Sequence, residues 1–360
     1  MIPDTPPTPY LVALVETVEA NINAMQRRLE ESQIDLRPHI KVHRIPELGR
    51  MQTSPGAVGI ACQTLEEVEM MVTAGFGDIL LTNSIVDRKK LSRLAALMSQ
   101  AKVAVTADSD QAVDELSGAV GASGGKASVY VECDIGGVRT GYAESGPAAA
   151  LAMKIVRSQF LEFGGLAAYL GGNPRCPDID AAEATLAEVV ARLARAGVDV
   201  PAVSVGGTVL AMRAWPDCSP STVTEARPGN YSFFDATKVE YGLVGYEDCA
   251  LRVISTVISR PNPTRVILDV GWRILSNNEL PGRPTYGHIL EYPDARVVRL
   301  YTEHAIVELP GSSSLPRIGE LVTIVPNSCD GVLASVDTLY GVRGARIEHV
   351  WGLWERAVLK

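Results

Sequence analysis

The sequence lacks the features that mark membrane proteins, nucleic-acid-binding proteins and disulfide-stabilised proteins. No apolar run approaches the length that spans a bilayer, and the first residues lack the basic and apolar segments of a signal peptide. No basic run interrupts a chain whose formal net charge is -9. Its 6 cysteines are scattered without a Cys-x-x-Cys pair, which favours reduced thiols over a structural zinc site. We therefore expect a cytoplasmic protein without nucleic-acid or membrane partners.

The composition indicates a chain that buries a large core. Hydrophobic residues make up 46% of the sequence and charged residues 21%, which is ordinary for a globular protein. The length of 360 residues fits either a barrel with an appendage or two domains.

Short apolar strands alternate with helical patterns between about residues 30 and 240. The predicted strands cover residues 34–43, 57–62, 78–82, 103–107, 127–133, 163–169, 202–206 and 222–227. Eight such units predict an α/β architecture, a parallel (β/α)8 barrel. A doubly wound open sheet is the alternative, but no Gly-x-Gly-x-x-Gly fingerprint follows an early strand.

The pattern of residue types along the sequence changes after Tyr241. Runs rich in Val and Ile, separated by Pro, Gly and Asn, predict a C-terminal antiparallel β domain with no convincing helix. The predicted barrel domain is 15–241, and the β domain is 242–360 together with the N-terminal segment 1–14. The strand pattern of that segment is compatible with either domain.

The stretch from Ile34 to His43 alternates apolar and polar residues, which is the period of a strand. Nitrogen groups occupy nearly all of its polar positions: Asp35, Arg37, His39, Lys41 and His43. Neighbouring cations and burial both favour an uncharged lysine amine, the form that Schiff-base chemistry requires. The alternative is an ordinary strand whose polar face lies in water. Lys41 is the candidate nucleophile.

Two glycine-containing loops follow the predicted seventh and eighth barrel strands. They contain Gly206, Gly207 and Thr208 in the first, and Gly229, Asn230 and Tyr231 in the second. Loops at these positions of a parallel barrel often hold phosphate, because glycine lets backbone N–H groups approach an anion. Each loop alone is equally typical of a plain turn. A lysine and a phosphate cradle in one barrel mouth together suggest pyridoxal phosphate.

A third motif, Glu132-Cys-Asp-Ile-Gly-Gly-Val-Arg-Thr-Gly141, ends the predicted fifth strand. Its Arg139 is a candidate contact for the pyridine nitrogen of such a cofactor or for a substrate carboxylate. The alternative is an arginine on a surface loop.

The motif Arg37-Pro-His-Ile-Lys-Val-His43 resembles the Arg-Pro-His-x-Lys-Thr-His stretch of fold type III, alanine-racemase-like pyridoxal phosphate enzymes. The resemblance is to the D-threonine aldolase and D-serine dehydratase branch, and it extends over nearly the whole chain. Thr8-Pro-Tyr-Leu-Val12, the Glu132–Gly141 motif, both glycine loops and Glu303-His-Ala305 all fit that branch.

The resemblance implies a (β/α)8 barrel, a C-terminal β domain and a homodimer. It implies that Lys41 forms the Schiff base with pyridoxal phosphate and that His39, Arg139 and Tyr169 lie at the cofactor. The residues implied to hold the phosphate are Gly206, Gly207, Thr208, Gly229, Asn230 and Tyr231.

Two positions depart from the family pattern. The chain has Gly172 where the family has a histidine that acts on the β-hydroxyl group of the substrate, and Ser328 where the family has a metal-binding histidine. Asp330 is retained as a possible vestige of the metal site, and Cys329 is a conceivable further ligand. We therefore predict that no metal is needed.

These features predict a pyridoxal phosphate-dependent lyase or aldolase that acts on a small β-hydroxy-α-amino acid. A metal-independent amino-acid racemase or epimerase is the main alternative, and a non-catalytic cofactor carrier is a third. With Gly172 unable to act, His304 is the predicted replacement base, since imidazole titrates near neutral pH. Lys41 and Tyr286 are the remaining candidate bases.

Overall fold

The backbone forms two units, one built around parallel strands and the other around a mixed sheet. The computed structural model describes residues 6–169, 179–213, 222–309 and 316–353. Among these, residues 24–41 and 46–229 belong to the first unit, and 1–23, 42–45 and 230–360 belong to the second. The predicted domain limits, 15–241 and 242–360 with 1–14, stay a prediction.

Strand β1 (Tyr10–Leu14) and helix α1 (Val15–Glu31) open the chain. The strands of the first unit then follow as β2 (Asp35–Leu36), β3 (Ile60–Cys62), β4 (Asp78–Leu81), β5 (Lys102–Ala107), β6 (Ala127–Cys133), β7 (Leu161–Tyr169), β8 (Val203–Gly206) and β9 (Glu225–Arg227). All neighbours pair in parallel, and β2 pairs with β9. A bridge between His39 and Ala61 joins the remaining two edges, and the Ala61 N–H donates to Pro38 O at 2.8 Å. The predicted parallel barrel is therefore confirmed.

Helices alternate with these strands. They are α2 (Pro46–Thr53), α3 (Leu65–Thr73), α4 (Arg88–Leu97), α5 (Asp110–Ala122), α6 (Ser145–Val156), α7 (Ile179–Arg195) and α8 (Thr208–Arg213). Thr64 caps α3 by accepting a hydrogen bond from the Glu67 N–H, as the sequence pattern predicts. Helix α6 was not predicted. Its N-cap residue, Glu144, forms no side-chain capping bond, so the usual starting signal is missing.

The predicted strand 34–43 is wrong beyond its first residues. Only β2 is extended, and Ile40–Val42 forms a single 3-10 turn that contains Lys41. Arg37 and His39 are buried alongside Ile40. Parallel barrel strands are covered on both faces, so the alternation along this stretch did not separate a buried face from a solvated one.

The second unit contains one mixed sheet. Its strands after β1 are β10 (Leu251–Asn262), β11 (Arg265–Leu268), β12 (His288–Ile289), β13 (Arg296–Leu300), β14 (Ala305–Glu308), β15 (Leu321–Val325), β16 (Thr338–Arg343) and β17 (Arg346–Gly352). The main path runs β13-β14-β11-β10-β1-β16-β17, and β15 pairs with β10 and β12. The pairs are antiparallel apart from β1 with β16, so the predicted antiparallel character is confirmed with one parallel exception.

Short helices also occur in this unit, and the prediction that it has none is wrong. Helix α9 (Ala236–Glu240) precedes the sheet, while α10 (Trp272–Leu275) and α11 (Cys329–Leu333) lie between its strands. Each has only 4 or 5 residues, which is too short for a helical period to show in the sequence. Within the described ranges, no helix is long and apolar enough to cross a membrane.

Candidate active site

Lys41 lies directly after the carboxyl end of β2, where a parallel barrel carries its active site. Its side chain is exposed, although Ile40 and Val42 on either side are buried. The Lys41 amine has no hydrogen-bond or ion-pair partner in the part of the chain that the structure describes. The barrel thus presents one unengaged primary amine at its rim.

The imidazole of His39 is held neutral beside this lysine. Burial, together with the charges of Lys41 and Arg227, holds the pKa of His39 well below its usual range. Its Nε2 lies 3.0 Å from Thr82 Oγ1, and that hydroxyl donates to the carbonyl of Cys62 at 3.0 Å. The hydroxyl therefore accepts a hydrogen bond from a protonated Nε2. The other ring nitrogen, Nδ1, is then unprotonated and accepts from the backbone N–H of Lys41 at 3.4 Å. Thr82 was not predicted, because only the folded barrel brings β4 to this position.

Arg37 does not belong to the candidate site, contrary to the predicted row of nitrogen groups. Its guanidinium pairs with Glu225 at 2.8 Å and with Asp78 at 2.6 Å in the barrel interior. Ser204 connects Glu225 to Arg227, whose Nη1 donates to Ser204 Oγ at 2.5 Å. The charge of Arg37 is therefore matched by carboxylates below the rim.

The first glycine loop lies against the ring of Tyr169. A side chain at Gly206 would meet Tyr169 Cδ2 at 3.2 Å, and Gly207 has a φ of +125°, which favours glycine. The Gly229 N–H donates to Thr208 Oγ1 at 3.2 Å, which ties the second loop to the first. The backbone of Gly206, Gly207 and Gly229, called here the glycine shelf, is therefore left uncovered by side chains of its own beside Tyr169.

Two other predicted phosphate contacts, Asn230 and Tyr231, are buried in the second unit. One N–H of the Asn230 amide donates to Asp235 Oδ2 at 2.9 Å, so a buried hydrogen bond fixes this side chain. A part for Asn230 and Tyr231 in phosphate binding stays a prediction.

Arg139 lies over the ring of Tyr169, with Cζ 4.7 Å from the ring centroid. Glu132 anchors the loop that carries it. This buried carboxylate accepts from Thr140 Oγ1 at 2.7 Å and from Arg139 Nη2 at 3.4 Å. The side chain of Arg139 is 48% exposed, so it can reach a ligand at the rim.

Arg227 is a buried residue of the site that sequence reasoning quoted within a motif without assigning a role. Its Nη2 donates to the carbonyl of Ala168 at 3.1 Å, directly below the shelf. Among the described residues, its Nε has no hydrogen-bond partner. Burial lowers the pKa of Arg227, and within the described ranges no carboxylate forms an ion pair with its guanidinium. Its Nη2 would lie 3.5 Å from a Cβ added at Gly206, so its charge is next to the first glycine loop.

The segment where the family pattern has metal ligands is built into helix α11. Ser328 caps this helix by accepting from the Gly331 N–H at 3.4 Å. Cys329 donates to the carbonyl of Phe234 at 2.8 Å, and burial raises the pKa of its thiol well above the usual range. Asp330 is exposed. Across the described ranges, no group of three His, Cys, Asp or Glu side chains is arranged to hold a metal ion.

The two predicted bases outside the barrel lie on the second unit. The side chain of His304 is exposed in the turn between β13 and β14, and its carbonyl accepts from the Tyr301 N–H at 2.7 Å. The hydroxyl of Tyr286 donates to Glu279 at 2.7 Å, and this bond raises the pKa of Tyr286. Tyr286 is therefore poorly suited to accept a proton. Gly172, the other position named from the sequence, lies outside the described residues.

The rim of the barrel fits pyridoxal phosphate. Lys41 supplies an unengaged amine, the glycine shelf supplies open backbone, and Arg227 supplies a fixed positive charge below it. The face of Tyr169 and the guanidinium of Arg139 offer contacts for an aromatic ring and its substituents. This donor set matches an aldehyde, a phosphate and a ring on one small molecule.

Known proteins resemble this chain in sequence and in fold. The sequence profile of the alanine racemase N-terminal domain matches residues 15–237, and that of a serine dehydratase domain matches residues 250–342. D-threonine aldolase of Arthrobacter sp is 31% identical over 97% of this chain and 92% of its own length. 3-Hydroxy-D-aspartate aldolase of Paracoccus denitrificans is 28% identical over 96% of this chain and 90% of its own. The structure of D-threonine aldolase from Filomicrobium marinum has a TM-score of 0.87 at 29% identity, covering 98% and 96% of the two chains.

Proposed function

This chain belongs to the alanine racemase N-terminal domain family of fold type III pyridoxal phosphate enzymes, and on that premise we propose which reaction it catalyses. It is a lyase of the aldolase type that cleaves a small β-hydroxy-α-amino acid. Its relatives named above are aldolases for D-threonine and 3-hydroxy-D-aspartate. The observation that carries the proposal is the unengaged amine of Lys41 on the same barrel as the glycine shelf and the Arg139–Tyr169 pair.

Each rim residue has a part in this proposal. Pyridoxal phosphate, when bound, makes the bonds at the α-carbon of an amino acid labile. Lys41 would hold the cofactor through its amine, which can also carry a proton to or from the substrate. The backbone of Gly206, Gly207 and Gly229 would hold the phosphate, with the hydroxyl of Thr208 beside it. His39 stays neutral, so it adds no second charge next to the lysine amine.

Cleavage of the bond between the α- and β-carbons needs a base for the β-hydroxyl proton. We assign this base to His304, whose imidazole is exposed and can accept a proton at a ring nitrogen. The assignment depends on the exposure of His304 and on the hydrogen bond that Tyr286 donates to Glu279. It is tested by His304→Gln, for which we expect turnover to fall by roughly 10²- to 10⁴-fold while the cofactor stays bound. Near-normal turnover would leave Lys41 as the base.

The proposed reaction needs no metal ion. Ser328 caps a helix and Cys329 is a buried thiol, so Asp330 is the one exposed carboxylate that this segment offers to a metal ion. A single exposed carboxylate binds divalent ions weakly. Asp330 is then a vestige of the family's metal site.

Further properties belong to the same proposal. The enzyme is a cytoplasmic homodimer whose partner is a small amino-acid substrate, without nucleic-acid or membrane partners. Its barrel domain is 15–241, and its β domain is 242–360 with 1–14.

The proposal is tested by incubating the holoenzyme with a panel of D- and L-amino acids and identifying the products. We expect a β-hydroxy-α-amino acid of one configuration to give glycine and an aldehyde. Lys41→Ala should abolish the reaction, and Lys89→Ala, which changes a lysine of helix α4, should not. Inverted amino acid as the sole product would assign a racemase and contradict the proposal.

A further inference from the structure

The second unit contains a cavity of about 410 Å³ that the proposed reaction does not use. It lies between β12, the start of β13 and the loop that joins Leu280 to Gly287. Its volume is in the range of small-molecule sites, about 300–1,000 Å³. Its lining combines arginine, histidine and tyrosine side chains, and no carboxylate is among its described lining residues.

Two arginines at the cavity have little or no counter-charge. Arg283 Nε is 4.0 Å from Glu240, at the outer limit of an ion pair. The guanidinium of Arg296 has no partner within the described residues. Its cross-strand neighbour, Glu308, pairs instead with Arg265 at 3.6 Å. The edge of the cavity is therefore cationic, in a chain whose net charge is -9.

A third arginine strengthens this field from behind the cavity wall. Arg252 is 6% exposed, and its Nη2 donates to the carbonyl of Tyr246 at 2.8 Å. Its Nη1 is buried without a hydrogen-bond partner, and no carboxylate pairs with Arg252 in the described parts of the chain. A buried guanidinium without a counter-ion is costly, and an anion nearby offsets that cost.

The wall itself consists of the stacked rings of Tyr246 and His288. Their centroids are 3.8 Å apart, and the ring planes differ by 9°. The ring nitrogens of His288 form no hydrogen bond in the described structure, so they are free to bind a ligand. Burial and the charge of Arg252 lower the pKa of His288, so the imidazole is neutral at pH 7 and carries one N–H donor.

We propose that this cavity binds a small carboxylate anion, with Arg283 and Arg296 pairing with the carboxylate and His288 donating a hydrogen bond. The planar fork of arginine matches the two oxygens of a carboxylate, and two arginines suit a dicarboxylate best. Such a ligand supplies counter-charge to three arginines, of which Arg283 alone has a carboxylate within 4.0 Å among the described residues. The inference does not rest on the proposed lyase activity, since it uses residues of the second unit alone.

Calorimetric titration of the holoenzyme with succinate tests this site, because succinate has no amine that could react with the cofactor. We expect saturable one-site binding that Arg296→Gln weakens by about tenfold or more, equivalent to about 1.4 kcal/mol. Arg299→Gln is the matched control, because Arg299 lies on the same strand, contacts Tyr301 and does not line the cavity. In proton NMR, succinate should shift one imidazole signal, which His288→Gln removes.

Four results would overturn the proposal. They are no binding to the unchanged protein, equal weakening by Arg296→Gln and Arg299→Gln, binding of inorganic phosphate as tight as that of succinate, and loss of succinate binding in Lys41→Ala. The last result would place the anion at the barrel instead. None of these measurements depends on turnover, so their failure is distinguishable from failure of the lyase assay.

Discussion

At the scale of single residues, the candidate site depends on keeping one imidazole neutral among several cations. His39 lies beside Lys41, and burial together with the charges of Lys41 and Arg227 holds its pKa down. The Thr82 hydroxyl accepts from the neutral ring, so no proton is needed to satisfy the hydrogen bonds of the imidazole. A charged His39 would instead repel the lysine amine.

This burial predicts how stability changes with pH. Below an ordinary histidine pKa of about 6.5, the unfolded chain binds a proton at His39 that the folded chain does not. The free energy of unfolding should therefore fall as pH drops from about 6.5 toward the lowered pKa, by up to roughly 1.4 kcal/mol per pH unit from this group. Urea titrations at pH 5.5 and 7.5 should show a smaller loss in His39→Gln than in the unchanged chain. Equal losses would show that His39 is charged in the fold.

Ser328 provides a second residue-scale prediction. Because its hydroxyl caps helix α11, Ser328→Ala should lower the free energy of unfolding by about 0.5–2 kcal/mol. Ser328→Asp is the control and should remain close to the unchanged protein, since Asp caps helices as well as Ser does. Urea unfolding midpoints measure both. If the alanine variant is as stable as the aspartate variant, the Ser328 hydroxyl does not stabilise helix α11 as a cap.

Sequence reasoning named several residues that the structure has at or after the carboxyl ends of barrel strands, and it missed others that act through long-range contacts. Lys41, Arg139 and the glycines were named from local motifs, and Tyr169 from the family resemblance. Thr82 and Arg227 act on partners more than 40 residues away in the chain, at positions 39 and 168. No local pattern contains that information, so these roles require the fold.

At the scale of elements, the β-bulge in the pairing of β6 with β7 depends on Gly165. The pairing register shifts between Val129 and Tyr130, and Gly165 has a φ of +135° at this bulge. A side chain there would lie 2.0 Å from the carbonyl oxygen of Ala202. Backbone rather than a flexible side chain blocks the position, so the barrel can relieve the clash only by moving a strand.

We expect Gly165→Ala to destabilise the protein by about 2–5 kcal/mol, from the clash and the strained φ together. Gly118→Ala is the matched control, because Gly118 lies exposed within α5 with nothing within 4 Å of an added Cβ. That change should stabilise by about 0.5–1 kcal/mol. Thermal unfolding of both variants checks the pair. If the two melt alike, the bulge tolerates a side chain.

The predicted elements agree with the structure where a period is long enough to see. Strands β3 to β6 lie within a few residues of the predicted strands 57–62, 78–82, 103–107 and 127–133. Helix α11 was missed, because a helical period does not show over so few residues. The 3-10 turn at Lys41 was missed because its alternation mimics a strand.

At the scale of the whole molecule, the fold was predictable because hydrophobic periodicity and an end-to-end family resemblance agree. The reaction was less predictable, because it depends on single side chains rather than on periodicity. At Ser328 the resemblance implies the loss of a metal-binding histidine, and only the structure shows that the Ser328 hydroxyl caps helix α11.

Metal independence is the prediction at this scale. Treatment with a chelator followed by its removal should leave turnover of a β-hydroxy-α-amino acid unchanged, because the 326–330 segment retains one exposed carboxylate. Added Mn²⁺ or Zn²⁺ should not raise the rate. If the chelator abolishes activity, divalent ions restore it, and Asp330→Ala prevents that restoration, a metal site at Asp330 would be established instead.

The proposed reaction requires pyridoxal phosphate on Lys41 of this barrel. Borohydride reduction of the purified holoenzyme fixes the cofactor to the lysine that carries it, and peptide mass spectrometry then identifies that residue. We expect a single pyridoxyl group, on the peptide that contains Lys41. A pyridoxyl group on another lysine, or none on a protein that shows the catalytic activity, would contradict it.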